Sequence, residues 1–363
     1  MRAGPTALTA LLLACAPRSD PATTGLSVGD APETTTTTTA AETTASSGSD
    51  ATSTWATSST TEASGAASDY PKDDLGAPDM GDVGTGCNGK IDVLFVFPNA
   101  GNEYFDAAMP VSLPAFEETM ATTLADYDLH VMVLNASGRW GAPNVCPKDK
   151  CPADGPCPAL EDPSFPCWAL HDEESLTKCD DTPGAGVVFP AGQEASNIPC
   201  LPPDGQRFLS SSAPDFSDLF ACVTKFGGGG KSPIGLECIM RAVSPDLQYG
   251  CNAGFVRDDA VLLIFVVTVS DYSAYSPAVW ANAVLEAKER EHDRVVVMTV
   301  SPDRSTDEPV CPGKKVDTHP PSYKFSMLFE HGLQGSYCAP DYGPYFEEAA
   351  ALAAELCGAG PQG

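Results

Sequence analysis

The stretch VLLIFVV, residues 261–267, places seven apolar side chains in a row. A strand with one solvated face alternates apolar and polar residues, so an unbroken run of this length is typical of a strand covered on both faces. Largely apolar runs of similar length lie within residues 91–97 and 294–300. These runs predict a buried, mostly parallel sheet.

Helical patterns alternate with the apolar runs along the rest of the chain. A fourth strand is expected at residues 129–134, and helices are expected at 113–124, 216–225, 234–243, 277–290 and 345–357. This alternation predicts an α/β fold with a doubly wound, mostly parallel sheet. Residues 140–215 are rich in cysteine, proline and glycine and show no clear period, which indicates an irregular insertion. The globular domain is expected to span residues 87–358.

The first residues predict export. A short positive start and the apolar run ALTALLLA, residues 7–14, form a signal peptide over residues 1–15 that is too short to span a bilayer. LLAC at residues 12–15 resembles a bacterial lipobox, which would make Cys15 the lipidated mature N-terminus. Because alanine follows Cys15, we expect attachment to the outer membrane or cell surface by this lipid. The alternative is an ordinary signal peptide with a chance cysteine.

A tether is expected between the lipid and the domain. Residues 16–86 are dominated by Thr, Ser, Ala, Gly and acidic residues, with six threonines at 34–39. Such a segment buries too little apolar surface to offset its ordering entropy, so we expect it to be disordered. A flexible chain of this length spans about 45 Å on average.

Cysteine usage predicts disulfides. The chain has 14 cysteines and no Cys-x-x-Cys pair, which favours an oxidising compartment over a zinc site. We expect Cys87 to pair with Cys357, joining the two ends of the domain, and Cys311 to pair with Cys338. Lipidation of Cys15 would leave an odd number, and Cys238 is expected to be the free thiol, because it lies on the apolar face of a helix.

Charge and motifs exclude several functions. The formal net charge is −29, and residues 87–363 carry 17 Lys and Arg against 38 Asp and Glu, which opposes nucleic-acid binding. The expected domain at residues 87–358 contains no Gly-x-Ser-x-Gly, the chain contains no His-Glu-x-x-His motif, and GGGGKS at residues 227–232 lacks the first glycine of a phosphate loop. We therefore expect no catalytic residues, no cofactor and no enzymatic activity.

Three stretches carry a family resemblance. KIDVLFVFPNAGN at residues 90–102, FGGGGK at 226–231 and VVTVSD at 266–271 occur in the order of the corresponding strands and loops of von Willebrand factor type A domains. The chain from residue 87 to 357 is similar to cysteine-rich, type-A-like lipoproteins of the myxobacterial kind. The resemblance implies a doubly wound α/β sheet that binds a macromolecule at its carboxyl edge.

In that family, aspartate, serine and threonine side chains form a metal-ion-dependent adhesion site. At the matching positions this sequence has Pro98, Ala100, Asn102 and Gly228, and Asp271 alone keeps the family's residue. One carboxylate without hydroxyl partners does not replace the water around magnesium, so we expect a degenerate site without metal. The alternative is a calcium site whose oxygens come from residues 102, 103, 106 and 271.

The expected function is metal-independent binding at the carboxyl edge of the sheet. The candidate binding residues are Asn99, Asn102, Gly228, Asp271, Tyr272 and Tyr275. The expected partner is a protein or an envelope polymer. Two alternatives stay open: a hydrolase with its site in the insertion, and a structural envelope protein without a specific ligand.

Overall fold

A computed structural model of the protein describes residues 87–98, 103–160, 162–227, 234–268, 270–302 and 321–358. The described residues form one six-stranded sheet in the order β3-β2-β1-β4-β5-β6. The strands are β1 (Lys90–Phe97), β2 (Asp128–Asn135), β3 (Leu209–Ser210), β4 (Val261–Val267), β5 (Val295–Ser301) and β6 (His331–Ser336). All neighbours are parallel except the short edge strand β3, which runs antiparallel to β2. The predicted α/β fold with a mostly parallel sheet is confirmed.

The described helices connect these strands. They are α1 (Glu103–Thr122), α2 (Phe216–Thr224), α3 (Gly235–Ala242), α4 (Pro245–Gln248), α5 (Pro277–Ala287), α6 (Pro321–Ser326) and α7 (Gly343–Leu356). None of the helices in the described part of the chain has both the length and the apolarity needed to cross a membrane.

The sheet separates two hydrophobic clusters, because successive strand residues point to opposite faces. Phe95 and Phe97 of β1 belong to the first cluster, with residues of α1, α2 and α7. Leu94 and Val96 belong to the second, with residues of α3, α5 and α6. The central ring is Phe95, whose centroid lies 5.0–5.8 Å from those of five other phenylalanines.

The short elements β3, α4 and α6 were not predicted, and two larger differences concern α1 and β6. Helix α1 begins at Glu103, ten residues before the predicted start, and continues through Pro110 and Pro114. Its buried face packs against the first cluster, and this packing outweighs the helix-breaking tendency of the prolines. Strand β6 was not predicted, because HGLQGS contains two glycines and no apolar run. A Cβ on Gly332 would lie 1.9 Å from the Ser326 carbonyl oxygen, so the close approach of α6 requires glycine there.

The insertion is irregular, as predicted, and has its own small core. Its regular structure is limited to short 3-10 helices at Cys167–Leu170, Lys178–Asp181 and Pro203–Gly205, with β3 near its end. Trp140, Phe165 and Phe189 pack together with buried cysteines to form this core. Because a segment with so little regular structure buries limited apolar area, covalent links contribute much of its order.

Five disulfides lie among the described residues. Cys87 is bonded to Cys357, which confirms the predicted closure of the domain ends. Two bonds lie within the insertion and two attach it to the rest of the domain; they are Cys146–Cys157, Cys151–Cys167, Cys179–Cys251 and Cys200–Cys222. Disulfides of this number indicate an oxidising, extracytoplasmic compartment.

The two remaining described cysteines have different states. Cys338 is disulfide-bonded, whereas its predicted partner Cys311 lies outside the described residues. Cys238 is free and buried, as predicted. Burial raises the pKa of its thiol to about 12, so it stays protonated and unreactive at neutral pH.

Candidate functional site

The strand order reverses between β1 and β4, and the loop after β4 lies at the carboxyl edge of this junction. In parallel α/β sheets with such a reversal, ligands bind in the crevice outside the carboxyl ends of the strands. The loop after β4 contains Asp271, Tyr272 and Tyr275. It is therefore the described part of the predicted binding surface.

Asp271 holds the start of helix α3. One of its carboxylate oxygens accepts the backbone N–H of Leu236 at 2.9 Å, and the other accepts the backbone N–H of Ser273 at 2.8 Å. The hydroxyl of Ser273 accepts the next helical N–H, from Glu237, at 3.1 Å. The loop thus caps two N–H groups in the first turn of α3, where a negative charge also interacts favourably with the helix dipole.

Burial raises the pKa of Asp271, although its hydrogen bonds to the loop and to α3 oppose this shift. Both carboxylate oxygens have a protein donor, so the group already has hydrogen-bond partners without a cation. The position of Asp271 at the carboxyl edge was predicted from the sequence, whereas its contact with α3 was not. Residue spacing gives no signal for this contact, because Leu236 lies 35 positions earlier in the chain.

Replacing Asp271 by alanine is expected to lower the free energy of unfolding by about 1–2 kcal/mol, the range measured for lost helix caps. The comparison is urea unfolding followed by circular dichroism. Asp271→Asn keeps an acceptor oxygen and should lose less stability. An alanine variant as stable as the original protein would contradict the capping role.

The two tyrosines of the same loop face solvent. Tyr272 is 66% exposed and Tyr275 is 48% exposed, and Val279 in the first turn of α5 is also exposed. Aromatic side chains are common anchors of protein interfaces, because they bury a large area with few rotatable bonds. This loop therefore offers apolar contact area beside the engaged carboxylate.

Several predicted site residues lie outside the described residues. These are the lipidation position Cys15 and the binding candidates Asn99, Asn102 and Gly228. Glu103 and Asp106 lie in the first turn of α1.

Within the described part of the chain, one group of three side chains could hold a metal ion. It consists of Asp293, Glu330 and His331, which lie at the start of β5 and β6 and not at the carboxyl edge. Glu103, Asp106 and Asp271, the described acidic residues of the calcium alternative, do not form such a group.

The amino edge of the sheet holds a buried charged group that was not predicted from the sequence. Asp92 on β1 is fully buried and accepts two hydrogen bonds from Arg257, at 2.8 Å from Nε and 2.8 Å from the backbone N. Lys288, 2% exposed, donates to the carbonyl oxygen of Arg257. The signal that could have revealed this group is the aspartate inside the apolar run KIDVLFVF.

Burial dominates the titration of this group. It raises the pKa of Asp92 to about 6 despite the opposing charge of Arg257, and it lowers the pKa of Lys288. Burial, with the charge of Arg257, also lowers the pKa of His130. The imidazole is therefore neutral at pH 7, and its 3.9 Å approach to Asp92 is not an ion pair there. The group fixes the loop around Arg257 to β1, opposite the proposed binding edge.

No protein-family model matches the chain, and no curated protein matches it. Among solved structures, the chain is similar to proximal thread matrix protein 1 from the mussel byssus, with 8% sequence identity and a TM-score of 0.31. The match covers 75% of this chain and 47% of that one, so it spans about half the length of the mussel protein. A similarity this low carries no conclusion about fold family or function.

Proposed function

We propose that the protein is a lipid-anchored binding module of the type-A-like kind that recognises a protein or an envelope polymer at the carboxyl edge of its sheet, without a metal ion. Lipid on Cys15 would attach the chain to the outer membrane or cell surface, and residues 16–86 would hold the domain away from it. The acidic domain makes nucleic acid an unsuitable partner.

The strand order supports the doubly wound part of this proposal. β2 and β3 lie on one side of β1, and β4, β5 and β6 lie on the other. This is the 3-2-1-4-5-6 order of doubly wound folds that bind ligands at the point of reversal. Five of the six strands are parallel, and their carboxyl ends share one edge.

The observation that carries the proposal is the environment of Asp271. Its carboxylate caps α3, and exposed Tyr272 follows it directly in the chain. A partner at this loop would gain aromatic contact area and hydrogen bonds instead of sharing a cation. Metal-independent recognition is the chemistry that this arrangement favours.

Changing both Tyr272 and Tyr275 to serine is expected to weaken partner binding at least tenfold, because buried aromatic anchors commonly contribute about 2 kcal/mol each. The partner is first isolated from envelope extract on immobilised protein in excess chelator, and its affinity is then measured by calorimetry. The matched control is Tyr249→Ser, since Tyr249 is 90% exposed and lies after α4, away from this loop. Equal losses in the two variants would argue against the proposed surface.

A further inference from the structure

A cavity of about 240 Å³ lies at the amino edge of the sheet, between the end of α1, the start of β2 and the start of α2. Met120, Leu124 and Leu129 give it a buried apolar wall, and all three belong to the first hydrophobic cluster. Ala121 and Ala125 also line it, and side chains this small leave the space open. Because an apolar cavity of roughly 150 Å³ already accommodates benzene, this one is large enough for a small ligand.

Two of the polar side chains that line this cavity are already engaged with the protein. The hydroxyl of Tyr127 donates to the Ala354 carbonyl at 3.1 Å, and the hydroxyl oxygen of Ser211 accepts the backbone N–H of Leu129 at 3.1 Å. The carboxylate of Glu117 is different, because it forms no hydrogen bond and no ion pair with any described residue. Glu117 is therefore the charged group of the lining that is left to orient a ligand.

The charges around Glu117 favour a cation. Partial burial and the nearby charge of Asp218 both raise the pKa of Glu117, and no described positive charge opposes them. Asp218 lies in the first turn of α2, whose residues 216 and 217 line the cavity. Two like charges this close repel each other, so a cation between the cavity and its rim would interact favourably with both carboxylates.

We propose that this cavity binds a small organic cation, in which an ammonium group is attached to an apolar body about the size of a benzene ring. The apolar wall selects the body, because the ligand removes that surface and its own from water. The carboxylate of Glu117 selects the ammonium group, whose N–H groups donate charge-assisted hydrogen bonds. A metal ion would make no use of the apolar wall, and an anion would add to the repulsion between Glu117 and Asp218.

This cavity is separate from the loop that carries Tyr272 and Tyr275. That loop follows β4 at the carboxyl edge, whereas the cavity lies at the amino edge, and neither Asp271 nor those tyrosines line it. The two sites also take different ligands. Binding of the cation can therefore fail while the tyrosine surface still binds its partner, and the reverse also holds.

The test is a titration of the full chain, labelled with ¹³C at its methionine methyl groups, with phenethylammonium chloride at neutral pH and constant ionic strength. The Met120 signal, assigned with Met120→Leu, should shift and saturate, while the signal of Met132, on the other face of the sheet, stays fixed. Glu117→Gln should raise the half-saturating concentration about fivefold, since a half-buried charge pair contributes less than a fully buried one. The matched control is Glu118→Gln, because Glu118 is exposed on the same helix and does not line the cavity; it should leave the concentration unchanged.

Three analogues of the probe separate its charge from its apolar body. Phenylethanol, which lacks the charge, should bind more weakly than phenethylammonium; phenylpropionate, which reverses the charge, should bind more weakly still; and methylammonium, which lacks the body, should cause no saturable shift. Ala121→Leu, which enlarges a side chain of the cavity wall, should prevent saturation by phenethylammonium. A shift that does not saturate, that all methionines share, that phenylethanol produces with equal affinity, or that persists unchanged in Glu117→Gln would overturn the proposal.

Discussion

Replacing Arg257 by methionine is expected to lower the free energy of unfolding by about 3–5 kcal/mol, the usual cost of removing one partner from a buried ion pair. Arg257 donates two hydrogen bonds to Asp92, which is completely buried on β1. Of the two bonds to Asp92, the variant loses the one from the side chain, and it also loses the guanidinium bonds to Asp128 and to the Ile91 carbonyl. The Asp92 carboxylate is then left without a guanidinium inside the domain. Urea unfolding at pH 7.5 measures the loss.

The pH dependence of this variant distinguishes a stranded charge from lost packing. Burial already raises the pKa of Asp92 to about 6 with Arg257 present, and it will lie higher without it. A folded state with a raised pKa binds protons that the unfolded chain releases, so the variant should regain stability as the pH falls from 7.5 to 5. A deficit that is constant over this range would contradict the ionic explanation.

The control for this prediction is an ion pair at the surface. Arg290 and Glu286 lie 2.7 Å apart on α5 and the turn after it, but their side chains are 57% and 63% exposed. Such pairs contribute less than about 1 kcal/mol, so Arg290→Met should change stability little.

Removing the disulfide between Cys87 and Cys357 with two alanine substitutions is expected to cost about 3–5 kcal/mol. The bond joins residues separated by 270 positions, and its loss gives the unfolded chain much additional freedom. The other disulfides shorten this loop, but the entropy depends on the logarithm of loop length, so the effect stays large. Equilibrium unfolding under non-reducing conditions is the measurement.

The matched control removes Cys146–Cys157, which closes a loop of only 11 positions. On the chain-entropy model it should cost about 2–3 kcal/mol less than the terminal bond. An equal or larger loss from the short loop would show that native packing in the insertion, and not the unfolded chain, determines the effect.

The sequence located the sheet well where burial is uniform. VLLIFVV coincides with β4. The predicted strands at 91–97 and 129–134 differ from β1 and β2 by no more than one residue at either end. These strands are covered on both faces, so their sequences are largely apolar; Asp92 in β1 and His130 in β2 are the polar residues within them. Strand β6 lacks such a run because α6 approaches too closely for side chains at Gly332, and that approach has no local signature.

The chemistry of the sites was less predictable, because it depends on contacts between distant residues. The apolar helical spacing around Cys238 was enough to identify the free thiol. Nothing in the local sequence links Asp92 to Arg257, 165 positions away, or Asp271 to Leu236. The parallel pairing of β1 with β4 and the packing of α3 beside the loop after β4 bring these groups together.

The most direct test of the central claim, recognition at the carboxyl edge without a metal, is the thermal unfolding midpoint of the full chain with millimolar magnesium or calcium and with excess chelator. An ion that does not bind the folded state cannot stabilise it, so the midpoint should be the same in all three conditions. The structural reason is that both oxygens of Asp271 accept backbone N–H groups, from Leu236 and Ser273. A midpoint that rises with the concentration of either ion, and no longer rises in Asp271→Asn, would contradict this account.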